Sequence, residues 1–427
     1  MVHSVRSFMA FVLVAVLVAA CGGGTSSGSP TSAPAASVAP AATVAPSAAA
    51  SVAPVQGIDA AKTITVGASI AQSGPYATAA AVGWGALTYF DSVNAKGGVN
   101  GYKFNYKVVD DQNDPTKTVT AIRQLWEQDK VFALLMPYGS GPTTAVKQYV
   151  TTNNIPLIFP YASSTIYFGE NAPVPANVFG FQASYLSEVQ SMVDFAAKQK
   201  GIKKVAIIHT TDEFGMTGVD GLTRASKALG VSVVGDVGYD ATETNYAPLG
   251  QRIAASGAEA IVVWAIPGAA NAIAAAEQAG YKGLWLLVDI FRGGSFLASL
   301  VKTPNLGNRT YLIYHQKTTA QMTASGSEFG AAYKAKYPQG DPDPALTGWT
   351  AAAMFVDAVK TTTANNTPLN WERLKATLES WQGKNIEAAI GMSFSKTSHI
   401  GAEKAQIFIL QSDNTWKVAQ DFTALPK

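Results

Sequence analysis

The stretch from Val131 to Thr165 constrains the fold of this chain more than any other part of the sequence. Its segment 132–136 is short, apolar and uninterrupted, as expected of a strand that is buried on both faces. The residues from Gly139 to Pro142 end this strand, and proline suits the first turn of the helix that follows. A second apolar strand, 156–159, comes next. Strand, turn, helix and strand in this order predict a parallel βαβ unit.

Hydroxyl side chains follow both strands of this unit. Ser140 comes after the first strand and Ser163 after the second. The carboxyl ends of parallel strands meet at one edge of a sheet, and a helix N-terminus there favours an anion. The sequence therefore predicts that Ser140, Ser163 and nearby amides bind a carboxylate. The alternative is that both serines are ordinary capping and turn residues.

Strands and helices continue to alternate along most of the chain. Apolar strands begin near Ile64 and recur as far as 284–288, with helical segments between them. This alternation implies parallel sheets, whose ligands bind beyond the carboxyl ends of the strands. Three helical segments follow the strand 310–314, and a β-hairpin is predicted from 407 to 420. With 427 residues, the chain exceeds what one hydrophobic core usually serves, so two lobes are expected.

Composition and motifs exclude several classes of function. Apolar residues make up 48% and charged residues 14%, and the net charge of +2 comes without a lysine or arginine cluster that would bind nucleic acid. The four histidines lie far apart and show no metal-ligand spacing. The sequence has no P-loop, dinucleotide fingerprint, H-E-x-x-H or G-x-S-x-G motif. We therefore predict no catalytic residue, no metal and no cofactor.

The N-terminus predicts export and a lipid anchor. Residues 1–20 carry a basic start, an apolar run and small residues before Cys21, as in a secretory signal peptide. The segment 17–21 resembles a bacterial lipobox, in which Cys21 would be lipidated; the alternative is an ordinary signal peptide with a chance cysteine. Residues 21–61 are rich in Ala, Pro and Ser and predict a flexible linker. The expected location is extracytoplasmic, as a cell-membrane lipoprotein at the cell surface or in the periplasm.

Several short motifs occur in the order and spacing of a known family. They are Ser73-Gly74-Pro75, Asn94 to Gly98, Asp110-Asp111 with Asp114-Pro115, Gly139-Ser140, and Pro160 to Ser163. From about Lys62 to its end, the chain resembles the type I periplasmic binding proteins, in particular the leucine/isoleucine/valine-binding branch. These are the substrate-binding proteins of ABC transporters.

The resemblance implies an α/β fold with two Rossmann-like lobes, whose parallel sheets are joined by three crossover segments. We expect these crossovers near residues 182, 314 and 393. Lobe 1 would then consist of residues 62–181 and 314–392, and lobe 2 of residues 182–313 and 393–427.

The resemblance also implies roles for individual residues. Ser140 and Ser163 match the positions that hold a ligand carboxylate. The carbonyl of Tyr161 and the side chain of Asp289 match groups that hold a ligand ammonium, and Phe214 matches an aromatic that closes on the ligand. Each has a plainer alternative: Asp289 could lie in a surface turn, and Phe214 in the core.

The sequence departs from the family pattern around the expected pocket. Thr78-Ala79-Ala80 and Ala265 stand where relatives carry tyrosines, and Gly139 stands where some carry a cysteine. These changes predict a larger pocket, or one walled by other aromatics such as Tyr76, Tyr138 or Trp349. A larger aromatic or aliphatic carboxylate, or an amide, is therefore an alternative to a branched-chain amino acid.

We predict an anchored substrate-binding protein without enzymatic activity, which captures a small solute between its lobes by hinge closure. Its partners would be that solute, the permease subunits of an ABC importer and the membrane, but no nucleic acid. One alternative is a sensory ligand-binding module for a membrane receptor. Another is a secreted α/β hydrolase, against which the missing nucleophile motif argues.

Overall fold

The computed structural model of the chain describes residues 55–162, 167 and 174–426. The predicted signal peptide, Cys21 and the linker as far as residue 54 lie outside these residues, and so does Ser163. The α-helices of the described part are α1 (Ala80–Ala95), α2 (Pro115–Arg123), α3 (Ser140–Thr152), α4 (Tyr185–Lys200), α5 (Glu213–Leu229), α6 (Ala247–Ala255), α7 (Ala269–Gln278), α8 (Gly294–Leu300), α9 (Thr319–Ala324), α10 (Phe329–Lys336), α11 (Pro342–Thr362) and α12 (Trp371–Glu379). The strands are β1 (Thr63–Ser69), β2 (Lys103–Val109), β3 (Ala133–Leu135), β4 (Leu157–Ile158), β5 (Val178–Phe179), β6 (Lys204–Thr210), β7 (Ser232–Tyr239), β8 (Ala260–Trp264), β9 (Leu284–Leu287), β10 (Thr310–Tyr314), β11 (Lys384–Ile386), β12 (Ala389–Met392), β13 (Lys404–Leu410) and β14 (Trp416–Ala424).

The first sheet has five parallel strands in the order β2-β1-β3-β4-β5. This is one of the two common orders of doubly wound α/β folds. The central strands β3 and β4 are completely buried, which explains why both read as continuous apolar runs. The predicted βαβ unit is confirmed, since α3 begins at Ser140 and joins two parallel neighbours.

The second sheet has seven strands in the order β14-β13-β10-β9-β8-β6-β7. Strands β6 to β10 pair in parallel, as predicted. Strand β13 runs antiparallel to β10, and β14 pairs antiparallel with β13 as the predicted C-terminal hairpin, so this sheet is mixed. The sequence analysis did not predict α8, α9 or the hairpin of β11 and β12. These elements have seven residues or fewer, too few for a clear hydrophobic period.

The buried side chains form separate cores around the two sheets. We call the first sheet and the helices packed with it (α1–α3 and α9–α12) the first half, and the second sheet with α4–α8 the second half. The β11–β12 hairpin packs with the first half, and the chain passes between the halves three times: between β5 and β6, after β10, and between β12 and β13. Three passes leave a boundary between the halves where a cleft can form.

Residues 55–61, at the end of the predicted linker, pack against the first half. Thr65 donates its backbone N–H to the carbonyl of Gly57 at 2.8 Å, and the Gln56 side chain donates to the carbonyl of Val131 at 3.1 Å. Within the described residues, no helix combines the length and the apolar character that crossing a bilayer requires.

Candidate functional site

The two halves enclose a cavity of about 370 Å³ at the carboxyl ends of parallel strands. The first half contributes residues from the short 3₁₀ helix before α1, from α1 and α11, and from the turns after β3 and β4. The second half contributes the segments that follow β8 and β9, and Tyr314 at the end of β10. The residues that line the cavity are Thr78, Ala79, Val82, Tyr138, Tyr161, Ala265, Ile266, Pro267, Gly268, Ala269, Ala270, Asn271, Asp289, Ile290, Phe291, Arg292, Gly293, Ser295, Phe296, Ser299, Tyr314, Asp343, Pro344 and Thr347. Its volume falls within the range of small-molecule sites.

A smaller recess of about 30 Å³ lies next to this cavity. Tyr138 and Tyr161 line both spaces, and Ser140 and Phe214 line the recess. The structure therefore brings six of the predicted site residues to one region: Tyr138, Ser140, Tyr161, Phe214, Ala265 and Asp289. The seventh, Ser163, lies outside the described residues.

Ser140 is the first residue of α3 and is 4% exposed. The preceding Gly139 has a φ of 99°, which turns the chain sharply out of the sheet and is a conformation that favours glycine. The Ser140 hydroxyl has no hydrogen-bond partner among the described residues. A buried hydroxyl without a partner is costly, so Ser140 is suited to bind a polar group that enters the recess.

Tyr138 and Tyr161 join the turns after β3 and β4. Their backbones form a parallel bridge, and their ring centroids lie 5.5 Å apart. The carbonyl of Tyr161 accepts a hydrogen bond of 3.0 Å from the N–H of Gly139. A carbonyl oxygen has two lone pairs, so one acceptor position remains for a ligand. Burial raises the pKa of both phenols above the ordinary value, and they therefore remain neutral donors.

Phe214 lies at the start of α5 in a cluster of aromatic rings. It stacks on Trp264 at 5.5 Å and meets the edge of Tyr185 at 5.6 Å. It is 8% exposed and packs in the hydrophobic core of the second half. Phe214 also lines the recess, as the predicted contact with a ligand requires.

Three of the small residues that depart from the family pattern line the cavity, namely Thr78, Ala79 and Ala265. The neighbouring Tyr138 supplies part of the aromatic wall, and Tyr76 lines the recess. Trp349, by contrast, packs between Tyr89 and Phe329 in the core of the first half and does not line the cavity.

Asp289 lies just after β9 and is 1% exposed, so it is not a surface-turn residue. One carboxylate oxygen, Oδ2, accepts a hydrogen bond of 3.2 Å from the Gln182 amide and lies 3.3 Å from His315 Nδ1. The other oxygen, Oδ1, has no hydrogen bond within the described part of the chain. Burial, together with the neighbouring Glu188, raises the pKa of Asp289 to about 7.

Behind Asp289 lie two further buried ionisable groups, which the sequence analysis did not identify. His315 Nδ1 is 3.4 Å from Glu188 Oε1 and, as above, 3.3 Å from the Asp289 carboxylate. Burial raises the pKa of Glu188 well above its ordinary value and lowers that of His315. We call Glu188, Asp289 and His315 the buried cluster.

Arg292 is the cation that lines the cavity in the described structure, and the sequence analysis missed it too. Its guanidinium donates to the carbonyls of Lys317 at 3.0 Å and Asp343 at 2.8 Å, and lies 4.0 Å from the ring centroid of Tyr314. These contacts fix the guanidinium against the first half. Its positive charge also favours the ionised form of Asp289.

The two halves are in direct contact across the cleft, as in a closed form. On one side, the Tyr76 hydroxyl of the first half lies 3.0 Å from Asp212 Oδ2 and 2.9 Å from the carbonyl of Ile266, both in the second half. On the other side, the N–H of Ser295 donates to Asp341 at 2.9 Å. These contacts have to break when the cleft opens.

A Tyr76→Phe variant should therefore bind solutes more weakly without losing stability. Removal of one hydrogen bond from the closed form alone shifts the closure equilibrium by about 0.5–1.5 kcal/mol, and affinity falls accordingly. Calorimetric titration measures the change. Tyr149→Phe is the matched control, because Tyr149 bonds Glu127 on the first half, away from the cleft. Equal affinities of wild type and Tyr76→Phe would show that this contact does not govern closure.

Two α/β halves with a polar and aromatic cavity between them at the strand ends are the architecture of the type I periplasmic binding proteins. The comparison with known families agrees, since residues 63–415 match the family described as "Periplasmic binding protein". The chain belongs to this family, whose members bind solutes.

Individual known proteins are also similar to this chain in sequence or in structure. An "Amino acid binding protein" of Pseudomonas aeruginosa is 27% identical over 218 residues, which cover 49% of this chain and 56% of that protein. The chain spans about half the length of the curated relatives it matches. A branched-chain amino acid ABC transporter protein from Thermus thermophilus, solved with bound valine, superposes with a TM-score of 0.74 at 21% identity and covers 85% of this chain and 96% of its own. A fatty acid ABC transporter substrate-binding protein from Thermomonospora curvata gives 0.73 at 21%, with 87% and 94% covered.

Proposed function

We propose that this chain is the extracytoplasmic substrate-binding protein of an ABC importer. It captures a branched-chain amino acid, or a related small carboxylate or amide, in the cleft between its halves. It passes the solute to permease subunits and performs no chemistry on it. Lipidation of Cys21 holds it at the membrane, and residues 21–54 tether the folded body to that anchor.

The cavity between the halves carries this proposal. It has the size of a solute site, both halves line it, and the three crossover segments allow them to move relative to one another. A solute that contacts both halves binds the closed form more tightly than the open form and so shifts the equilibrium towards closure. The amino acid and fatty acid ligands named for similar proteins support a small carboxylate.

Two polar regions fit the two ends of an amino acid. The Ser140 hydroxyl and the N-terminus of α3 favour a carboxylate, whereas the carbonyl of Tyr161 and the carboxylate of Asp289 favour an ammonium. Hydrogen bonds between charged partners are about twice as strong as neutral ones, and burial strengthens them further. We assign Ser140, Tyr161 and Asp289 as the ligand-binding residues, together with the N-terminus of α3. Phe214 and Ser163 are further contacts.

Thermal melting with candidate solutes tests the proposed function. Leucine, isoleucine, valine, their deaminated acids and short-chain amides are added separately to the purified protein. A solute that binds the folded state stabilises it, by about 2.7 kcal/mol when its concentration is 100 times Kd. A raised melting temperature with one of these solutes supports the proposal. No shift with any small carboxylate, amino acid or amide would remove it, and turnover of a bound solute would point to an enzyme instead.

A Ser140→Ala variant should weaken carboxylate binding by about 1–3 kcal/mol, because a charged partner loses one buried donor. The stability of the empty protein should remain almost unchanged, since the hydroxyl makes no hydrogen bond with the described residues. Calorimetric titration and thermal melting provide the two measurements. Ser299→Ala is the control, as Ser299 of the second half lines the cavity and its hydroxyl already donates to the carbonyl of Ser295. A loss of affinity in the control alone would place the carboxylate at Ser299.

A further inference from the structure

The buried cluster lies between the cavity and the crossover segments. Asp289 lines the cavity, Glu188 belongs to the first turn of α4, and His315 directly follows β10. At most 1% of each residue is exposed, and their ligand-type atoms all lie within 4.8 Å of one another. Neither oxygen of Glu188 has a hydrogen-bond partner among the described residues. The two carboxylate oxygens of Glu188, which make no hydrogen bond there, thus lie next to His315, which also contacts Asp289.

Two ionised carboxylates this close together, out of water, are strongly unfavourable. One proton in the cluster removes this repulsion, and it can be shared because the imidazole lies between the two carboxyl groups. Arg292 supplies one positive charge nearby, which it shares with Asp343, whose Oδ1 lies 3.8 Å from its Nε. The other titratable groups that face Asp289 are Tyr138, Tyr161, Tyr185 and Tyr314, whose raised pKa values keep them neutral.

We propose that Glu188 and His315 hold a proton behind Asp289, and that a solute carrying an ammonium group releases this proton when it binds. The proposal rests on the proposed function, in which Asp289 contacts the ammonium. Glu188 and His315 are then positioning residues that set the charge of Asp289. They make the affinity for amines and amino acids dependent on pH.

Charges and protons balance in this exchange. In the empty protein, one shared proton leaves the two carboxyl groups with a single negative charge, which the nearby Arg292 stabilises. When the ammonium enters, the O–H bond of the protonated carboxyl group breaks and the proton passes to the solvent. The cluster then carries two negative charges, and the ammonium supplies the one positive charge that the departing proton took away. A solute with a carboxylate and no amine brings no positive charge and leaves the proton in place.

A histidine with two carboxylates is also a set that binds divalent metal ions. The nearby guanidinium of Arg292 opposes a further double charge, and the amide of Gln182 already occupies one lone pair of Asp289. The geometry therefore favours a proton over a metal ion. The experiment below includes Zn²⁺ to decide between them.

Calorimetric titration of L-isoleucine in buffers of different ionisation enthalpy measures the protons released. For the wild type we expect release approaching one proton per isoleucine at pH 6, and affinity that rises by up to about tenfold per pH unit below the pKa of the empty cluster. The deaminated analogue 3-methylpentanoate should release none. Glu188→Gln should flatten the pH profile for isoleucine. His209→Gln is the matched control, because His209 pairs with Asp236 at 2.8 Å outside the cavity.

Melting of the solute-free protein provides a second readout. Burial raises the pKa of Glu188 in the folded protein. At pH values above the ordinary pKa of glutamate, the folded protein therefore keeps a proton that the unfolded chain has lost. Stability therefore falls as pH rises through this window, and Glu188→Gln removes that fall. We expect the melting temperature of the wild type to decrease relative to Glu188→Gln between pH 5 and 8.

Each result decides a different point. Two results would overturn the shared proton. One is that isoleucine binds without proton release; the other is that the difference in melting temperature between the wild type and Glu188→Gln stays constant across pH. A rise in melting temperature with Zn²⁺ after chelator treatment, seen in the wild type and absent in Glu188→Gln, would replace the proton by a metal ion. If none of the candidate solutes binds, the proposed function fails, whereas the melting comparison still decides whether the cluster holds a proton.

Discussion

Replacement of Gly348 by alanine should destabilise the protein by about 2–3 kcal/mol. Gly348 on α11 packs so closely on α1 that an added Cβ would lie 1.8 Å from the carbonyl oxygen of Val82. The contact is reciprocal, since a Cβ on Gly85 of α1 would lie 1.8 Å from the carbonyl of Ala345. The two helices must move apart to admit a methyl group, and the surrounding core of the first half then loses its close packing.

The matched control is Gly330→Ala on α10. The nearest neighbour of its added Cβ is 4.0 Å away, so this substitution gains about 0.5–1 kcal/mol from helix propensity without a clash. Urea unfolding of both variants measures the difference. Val82 and Thr347 of the same helix pair line the cavity, so Gly348→Ala should also weaken solute binding. If Gly348→Ala proves as stable as Gly330→Ala, the helices are not held together by this close approach.

Much of the fold follows from local patterns in the sequence. Continuous apolar runs such as 132–136 and 260–264 predicted central parallel strands, because strands covered by helices on both faces have no polar side. Gly139 and Pro142 marked the turn into α3 through their backbone preferences. The pairing of β13 with β10 could not be predicted, since an antiparallel neighbour from a distant part of the chain has no local signal.

The candidate site was predictable only where it lies at strand ends. Ser140, Tyr161, Ala265 and Asp289 follow predicted strands, and their neighbourhood in space follows from the parallel sheets. His315 also follows a strand but was interpreted only as an isolated histidine, because its carboxylate neighbours are distant in sequence.

Glu188 and Arg292 had weaker signals. Glu188 lies three residues after Tyr185 and four before Met192, on the apolar face of α4, where an acidic residue is unexpected. That mismatch between charge and hydrophobic period could have identified it. Arg292 lies in a short 3₁₀ segment with no periodic pattern, and its contacts with Lys317 and Asp343 come from the other side of the cleft.

An Asp289→Ala variant should bind L-isoleucine about 2–5 kcal/mol more weakly than the wild type, which corresponds to roughly 30- to 4,000-fold in Kd. In the proposed complex, the ammonium of the solute loses its buried countercharge and remains next to Arg292. The folded protein itself should tolerate the change, because the desolvation cost of one buried carboxyl group is removed. Titration calorimetry gives the affinities, and thermal melting confirms that the variant is folded.

Three comparisons separate charge from shape in this experiment. Asp289→Asn keeps the size and polarity of the side chain, so an equal loss of isoleucine affinity assigns the effect to charge. Asp236→Ala removes a carboxylate that pairs with His209 outside the cavity and should leave affinity unchanged. The affinity for 3-methylpentanoate, which lacks the amine, should be the same in wild type and Asp289→Ala. Isoleucine affinity that survives in Asp289→Ala would mean that the ammonium, and with it the pH dependence, belongs to another part of the cleft.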